Sequence, residues 1–297
     1  MTLYTEQSNN VRRTWFLMAI FLVIIVAIGY FVSYYYSNPA ILYFAIIFSV
    51  VMNITSYWFS DKIALASTGA IEADESEYKE LHRIVENLSI TAGLPKPKVY
   101  IIDDMAPNAF ATGRNKEHSA VAVTRGLLQM LDRNELEGVI AHELAHIGNR
   151  DILLSTVVVV LVGFIAMLSD MFLRMSLFGG RDRDREGGGN ILVILGIIFV
   201  VLSPIIATII QLAISRKREF LADASGALLT RYPEGLASAL QKISSYGDPM
   251  QRASNATAHL FISNPFGARA MKGIAKLFMT HPPTEERIHA LLSNNTK

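Results

Sequence analysis

The sequence has no cysteine, almost no net charge, and one long stretch without any charged residue. Without cysteine there are no disulfides, thiolate metal ligands or cysteine nucleophiles, so histidine, aspartate and glutamate remain as metal-binding side chains. Lysine and arginine number 27 against 26 aspartates and glutamates, so no positive surplus exists to bind nucleic acid, and we expect no such partner. A hydrophobic fraction of 51% with 18% charged residues indicates a membrane protein.

Four apolar runs divide the chain. No Asp, Glu, Lys or Arg occurs from Thr14 to Ser60, which is long enough for two membrane spans joined at the turn Ser37-Asn38-Pro39. Two further runs, Ile152–Leu173 and Ile191–Ile214, flank the Arg- and Gly-rich loop Arg174–Asn190, giving four candidate transmembrane helices. We therefore expect an N-terminal transmembrane hairpin (14–60), the first part of an α+β domain (61–151), a second hairpin (152–214) and the second part of that domain (215–297).

The polar block after the first hairpin contains patterns of both helix and strand. Helical spacing of apolar residues predicts a helix over Asp74–Ser89, and β-rich runs predict strands at Lys98–Ile102 and Ala120–Thr124. A further helix is expected to start near Asp132-Arg133-Asn134-Glu135 and to run through His146, with Glu137 as the capping-box partner of Asn134.

The helix that ends at His146 carries the motif with chemical meaning, His142-Glu143-Leu144-Ala145-His146. Histidines four residues apart share one helix face and can bind one zinc ion, while the glutamate beside them can hold a water. A catalytic zinc usually takes a third protein ligand. Glu219 is a candidate, and Asp223, four residues later, can accept a hydrogen bond from a ligating histidine.

Membrane topology is compatible with this third ligand. The histidine pair stands just before the third apolar run and Glu219 just after the fourth. Two crossings separate them, so all three side chains face the same side of the membrane. A hairpin that dips into the bilayer and returns would also keep them together, and the arginines of Arg181–Glu186 favour that variant.

Several motifs in this order resemble one family. The His142–His146 motif is followed by Asn149-Arg150-Asp151, and Arg218–Asp223 follows the second hairpin. Together with Asn108–Gly113 and Thr280–Arg287, they resemble the HtpX heat-shock membrane metalloproteases, relatives of the CAAX prenyl endopeptidases. The resemblance implies an integral membrane α-helical protein with an α+β zincin-like (gluzincin) catalytic domain. It also implies a zinc endopeptidase of the cytoplasmic membrane with its active site facing the cytosol. The implied substrates are damaged membrane proteins or unfolded polypeptides, cleaved in quality control under stress.

The same resemblance assigns roles to individual residues. It implies that one zinc ion per chain is bound by His142, His146 and Glu219, and that Glu143 is the general base. By the same carry-over, His281 and Arg287 lie near the scissile carbonyl or brace the site. Substrate binding is expected along a segment that is either an edge strand for an extended peptide or a plain hairpin strand, with the candidate residues Asn108, Ala109, Phe110 and Ala111.

Two other functions fit parts of the pattern. One is an intramembrane protease of the site-two type, although the charged residues that flank the motif, such as Glu137 and Arg150, suit the membrane surface better. The other is a membrane adaptor or inactive homologue without turnover, which the intact motif disfavours. Arg12 and Arg13 before the first span, and the basic run Arg216–Arg218 after the fourth, favour cytosolic placement of both ends.

Overall fold

A computed structural model describes residues 3–178, 216–254, 256–267 and 282–293. Within these residues the strands are β1 (Ala70–Glu72), β2 (Lys98–Ile102), β3 (Ala109–Asn115) and β4 (His118–Thr124). The helices are α1 (Leu3–Tyr35), α2 (Ala40–Thr68), α3 (Lys79–Ala92), α4 (Arg125–Met130), α5 (Arg133–Gly148), α6 (Asp151–Phe178), α7 (Arg216–Thr230), α8 (Pro233–Ser245) and α9 (Thr284–Ser293). A short 3-10 helix spans Ala258–Leu260.

Helices α1 and α2 form the expected N-terminal hairpin. The chain reverses at Ser37, which adopts a left-handed conformation with φ 50°. Gly29 lets the two helices meet closely, because the position of its missing Cβ is filled by Ala45. Among the described residues, Ser8–Tyr35 and Ala40–Thr68 are the helices long and apolar enough to cross a membrane.

The third apolar run lies in α6, which is bent by 86° from α5. Over the described residues, the two helices count as a third crossing if they are taken together as one broken span. The first half of α6 is buried against α1, with Leu154 and Val157 packed on Leu17 and Phe21. Helix α6 continues to Phe178, so the predicted loop does not begin at Arg174. The fourth run, 191–214, lies outside the described residues.

A small mixed sheet supports the site. Its strand order is β1-β2-β4-β3, with β2 and β4 parallel and β3 antiparallel to β4 at one edge. The strands predicted at Lys98–Ile102 and Ala120–Thr124 are present, the second starting two residues earlier, and the segment after Asn108 is an edge strand of this sheet. The predicted helix over Asp74–Ser89 begins only at Lys79.

Helix α5 begins at the surface with a capping box whose glutamate is buried. Its N-cap is Asp132, and the capping-box partner is Glu135, so the prediction of Asn134 with Glu137 is wrong. Glu135 also accepts hydrogen bonds from Ser238 and Lys242 of α8, both at 2.6 Å. These contacts with α8 favour Glu135 as the capping-box partner, and a local sequence pattern does not record them.

Candidate metal centre

The motif helix is buried along nearly its whole length. His142 and Glu143 are 1% and 2% exposed, and the apolar residues between the functional positions are equally enclosed. Helix α7 crosses α5 at Gly226, where an added Cβ would lie 2.9 Å from the backbone nitrogen of His142. Because glycine permits this close crossing, α7 brings its own side chains directly over the histidine pair.

Three candidate ligands converge on one point. The Nε2 atoms of His142 and His146 are 3.1 Å apart. Glu219 of α7 places its two carboxylate oxygens 3.9 Å from Nε2 of His142 and 3.7 Å from Nε2 of His146. The three ligand atoms all lie within 4.8 Å of one another, which is the arrangement of a metal site.

The far nitrogen of each histidine is held by a carboxylate. Asp223 Oδ1 lies 2.9 Å from Nδ1 of His142, and Asp151 Oδ2 lies 3.0 Å from Nδ1 of His146. When Nδ1 carries the proton and donates it to a carboxylate, Nε2 keeps its lone pair. Both imidazoles are therefore oriented with their free lone pairs toward the same point.

This donor set fits a divalent metal such as zinc. A tetrahedral zinc with nitrogen ligands near 2.05 Å separates its ligand atoms by about 3.3 Å. The observed Nε2–Nε2 distance of 3.1 Å matches within a few tenths of an ångström, and the Glu219 oxygens at 3.7 and 3.9 Å need only a small approach. Two lone pairs facing each other at this distance repel unless a cation or proton lies between them.

The electrostatics of the cluster also favour a cation. Burial alone disfavours a charged imidazole, but the carboxylates of Asp151 and Glu219 raise the pKa of His146 to about 9. The same negative charges that hold a proton there attract a metal ion in its place. Burial raises the pKa of the Glu143 carboxyl, partly opposed by the adjacent histidines, which moves it toward the range of a general base.

Glu143 is connected to the edge strand. Its carboxylate accepts a hydrogen bond from the backbone N–H of Ala111 in β3. A small cavity of about 30 Å³ lies among Glu143, both histidines, Ala111, His259 and Ile262. This volume suits a metal ion or a water molecule but not a peptide.

Arg287 lies behind the cluster. It is 2% exposed, and its guanidinium donates to both oxygens of Asp223, from Nε at 2.8 Å and from Nη2 at 2.6 Å. It also donates to the backbone oxygen of Ile262 at 3.1 Å and reaches 4.0 Å from Glu219. Although burial favours neutral Asp223, the arginine lowers the pKa of that carboxyl to about 2. Of the two roles open for Arg287, this position matches bracing the site. His281 lies outside the described residues.

The residues expected to bind substrate divide into two groups. The Asn108 side chain accepts a hydrogen bond from the backbone N–H of Ser263 at 3.2 Å and donates one to the backbone oxygen of Ser263 at 3.0 Å. The backbone oxygen of Ala109 accepts a hydrogen bond from the N–H of Ile262 at 2.9 Å. The Phe110 ring packs edge-on against Phe261, with centroids 5.2 Å apart. The first half of the β3 edge is therefore covered by the chain itself, while Ala111 faces the cavity.

Sequence reasoning assigned no role to two residues at the centre. Asp151 belongs to the motif Asn149-Arg150-Asp151, and its carboxylate orients His146. His259, which the sequence analysis does not single out, lines the cavity and bonds the backbone oxygen of Ser155 at 2.9 Å. The run of polar residues between α5 and α6 was a signal for Asp151, whereas no pattern in the sequence marks His259.

The fold and the site together define a membrane metallopeptidase: two helices of membrane-spanning length, and a buried His-Glu-x-x-His helix joined by a glutamate from a second helix. Residues 75–295 match peptidase family M48. "Protease HtpX homolog" of Thermoanaerobacter pseudethanolicus is 54% identical and that of Caldanaerobacter subterraneus subsp. tengcongensis 50% identical, each over 98% of both chains. The chain belongs to peptidase family M48 and is of the HtpX type, which confirms the family inferred from its motifs.

A solved structure shares the fold at low sequence identity. The crystal structure of S. mikatae Ste24p aligns with a TM-score of 0.50 at 17% identity, covering 97% of this chain and 67% of that one. The similarity supports the overall fold of a small mixed sheet and a central motif helix, combined with apolar helices.

Proposed function

We propose that the protein is a zinc-dependent endopeptidase of the cytoplasmic membrane that hydrolyses peptide bonds in misfolded or damaged membrane proteins. The observation that carries this proposal is the convergence of His142, His146 and Glu219, with each Nδ1 held by a carboxylate. These three residues would hold one zinc ion per chain. When bound, zinc supplies a Lewis acid that polarises the scissile carbonyl and acidifies a water.

Glu143 is the proposed general base. Its carboxylate faces the cavity beside both histidines, and burial raises its pKa, so it can accept the proton of the attacking water. It then delivers that proton to the leaving amine, which completes hydrolysis without a covalent intermediate. The Ala111 N–H holds the carboxylate in place. Arg287 supports the site through Asp223, and His281 is proposed to assist at the scissile carbonyl.

An extended peptide is proposed to bind along β3. The main chain of Ala111 is the part of this edge that faces the cavity, whereas Asn108 and Ala109 are covered by Ser263 and Ile262. A cavity of about 30 Å³ does not hold a peptide bond with its neighbours. Substrate binding therefore requires the segment around Ile262 to move away from β3, after which the peptide takes over its main-chain hydrogen bonds.

The active site is proposed to face the cytosol. Arg12 and Arg13 are exposed near the start of the first span and favour a cytosolic N-terminus. Helix α1 and the metal centre meet at that same end, since Asn10 contacts Asp151 directly. Proteins with segments at the membrane surface are therefore the substrates within reach.

A paired measurement tests this function. Zinc per chain is measured in detergent-purified protein carrying Glu143→Gln, and casein cleavage is measured for the unmodified enzyme with and without a chelator. We expect about one zinc per chain in the variant without cleavage, and cleavage by the unmodified enzyme that stops with chelator and returns with zinc.

A matched control uses the same helix. Glu137→Gln makes the same substitution at a residue paired with Arg133 on the surface of α5, and we expect it to retain both zinc and cleavage. Full activity of Glu143→Gln would remove the general-base assignment. Folded enzyme that lacks zinc and ignores the chelator would remove the zinc centre.

A further inference from the structure

The first membrane helix, α1, carries a buried amide side chain that contacts residues next to the metal centre. Asn10, near the start of α1, is 1% exposed. Its Nδ2 donates to the backbone oxygen of Asn149 at 3.2 Å and to Oδ1 of Asp151, and its Oδ1 accepts from Arg218 at 3.2 Å. The Asn10 amide thus donates two hydrogen bonds and accepts one. Its three partners lie on different segments: the end of α5, the start of α6 and the start of α7.

Asp151 connects this amide to a candidate metal ligand. One carboxylate oxygen accepts from Asn10, and the other lies 3.0 Å from Nδ1 of His146. A carboxylate held at both oxygens has one orientation, and so does the imidazole that donates to it. Two hydrogen bonds and one ring therefore join the amide of α1 to Nε2 of His146.

A second connection reaches the glutamate ligand. Arg218, bonded to the Asn10 amide oxygen, immediately precedes Glu219 in α7 and is itself 4% exposed. Holding this guanidinium fixes the first turn of α7, from which Glu219 reaches the histidines. The same amide therefore supports ligands on both helices of the site.

Packing of α1 does not account for this asparagine. The same face of α1 continues with Leu17 and Phe21, which pack on apolar residues of α6. A buried amide costs free energy unless it is fully hydrogen-bonded, so an apolar residue would serve packing alone. Asn10 also lies outside residues 75–295, the region that matches the family.

We propose that Asn10 is a positioning residue of the metal centre, so that the first membrane helix is a structural part of that centre. The inference rests on the proposed function only in requiring that His146 and Glu219 bind a metal. It does not depend on which substrate is cleaved.

The test replaces the amide and measures metal binding directly. Full-length protein in detergent carries Glu143→Gln to prevent self-cleavage, and Co²⁺ is the probe because its visible spectrum reports ligand geometry. Asn10→Asp keeps the side-chain shape but turns an acceptor toward Asp151, and Asn10→Leu removes all three hydrogen bonds. We expect both variants to bind Co²⁺ about tenfold more weakly or worse, with an altered spectrum.

The control lies one turn further along the same helix. Thr14 is equally buried, and its hydroxyl bonds only the backbone oxygen of Asn10 among the described contacts, so Thr14→Val is expected to keep the original affinity and spectrum. If Asn10→Leu does not fold, the isosteric Asn10→Asp carries the test. Unchanged Co²⁺ affinity and spectrum in a folded Asn10 variant would overturn the inference. Failure of the parent protein to bind Co²⁺ would instead remove the proposed metal centre.

Discussion

Replacing Gly226 with alanine is expected to weaken metal binding while leaving the chain folded. Gly226 follows Asp223 by three residues and Glu219 by seven, so all three lie on one face of α7. An added Cβ would lie 2.9 Å from the backbone nitrogen of His142 and 3.2 Å from the carbonyl carbon of Ala141. Both neighbours are backbone atoms of α5, so no side-chain rotation relieves the contact.

The magnitude follows from this distance. Carbon contacts become favourable near 3.5 Å, so α7 must move away from α5 by about 0.5 Å. That shift lengthens the 2.9 Å contact between Asp223 and His142 and moves Glu219 further from both histidines. Overpacking costs about 1–3 kcal/mol, partly offset by about 1 kcal/mol from the better helix propensity of alanine. We expect a modest loss of stability but a loss of metal affinity of about 10–100-fold.

Chelator competition and casein cleavage measure this effect. The matched control is Gly148→Ala at the end of α5, where the nearest atom to an added Cβ is Leu94 Cδ1 at 3.9 Å. We expect Gly148→Ala to bind metal as the unmodified protein does. If Gly226→Ala also binds metal with unchanged affinity, then close crossing of the helices does not set the ligand geometry, and the reasoning is refuted.

Two further predictions concern acid stability and substrate access. The Asp223 carboxyl has a pKa of about 2 in the folded chain against an ordinary value of 3.8, so ionised Asp223 contributes about 2 kcal/mol above pH ~4, which is lost as the pH falls through ~2. In metal-free protein, the unfolding midpoint should therefore fall more steeply between pH 5 and pH 3 for the unmodified chain than for Asp223→Asn, and parallel slopes would contradict this linkage. For access, Asn108→Cys with Ser263→Cys should form a disulfide in this cysteine-free chain that fixes the segment over β3. The oxidised double variant should keep its metal but lose casein cleavage until the disulfide is reduced. Each single-cysteine variant, as a control, should keep cleaving casein under the same oxidation. Undiminished cleavage by the oxidised double variant would show that this segment need not move.

The candidate ligands could be predicted because their geometry is local or follows from topology. His142 and His146 share a helix face by spacing alone, and the count of apolar runs placed Glu219 on the same side. Asp223 was expected to orient a ligand histidine because it lies four residues after Glu219, and it lies 2.9 Å from Nδ1 of His142. These inferences need only helical periodicity and an even number of crossings, which survive errors in helix boundaries.

Other features depended on contacts that no local pattern records. The first half of α6 is as apolar as a lipid-facing span, but it packs on α1, and composition does not distinguish protein neighbours from lipid. Asp151 returns to His146 because Arg150 adopts a left-handed conformation with φ 58° between two helices bent by 86°. Nothing in an arginine predicts that conformation, since it is uncommon for any residue with a side chain.

The two histidines differ in what supports them. Behind His142, Asp223 is paired with the buried Arg287, so this support lies within the domain and carries its own countercharge. Behind His146, Asp151 is held by the neutral amide of Asn10 from the membrane helix. Against the cost of burial, the carboxylates of Asp151 and Glu219 raise the pKa of His146. Because one of these carboxylates also contacts α1, His146 is the candidate ligand joined to that helix by two consecutive hydrogen bonds.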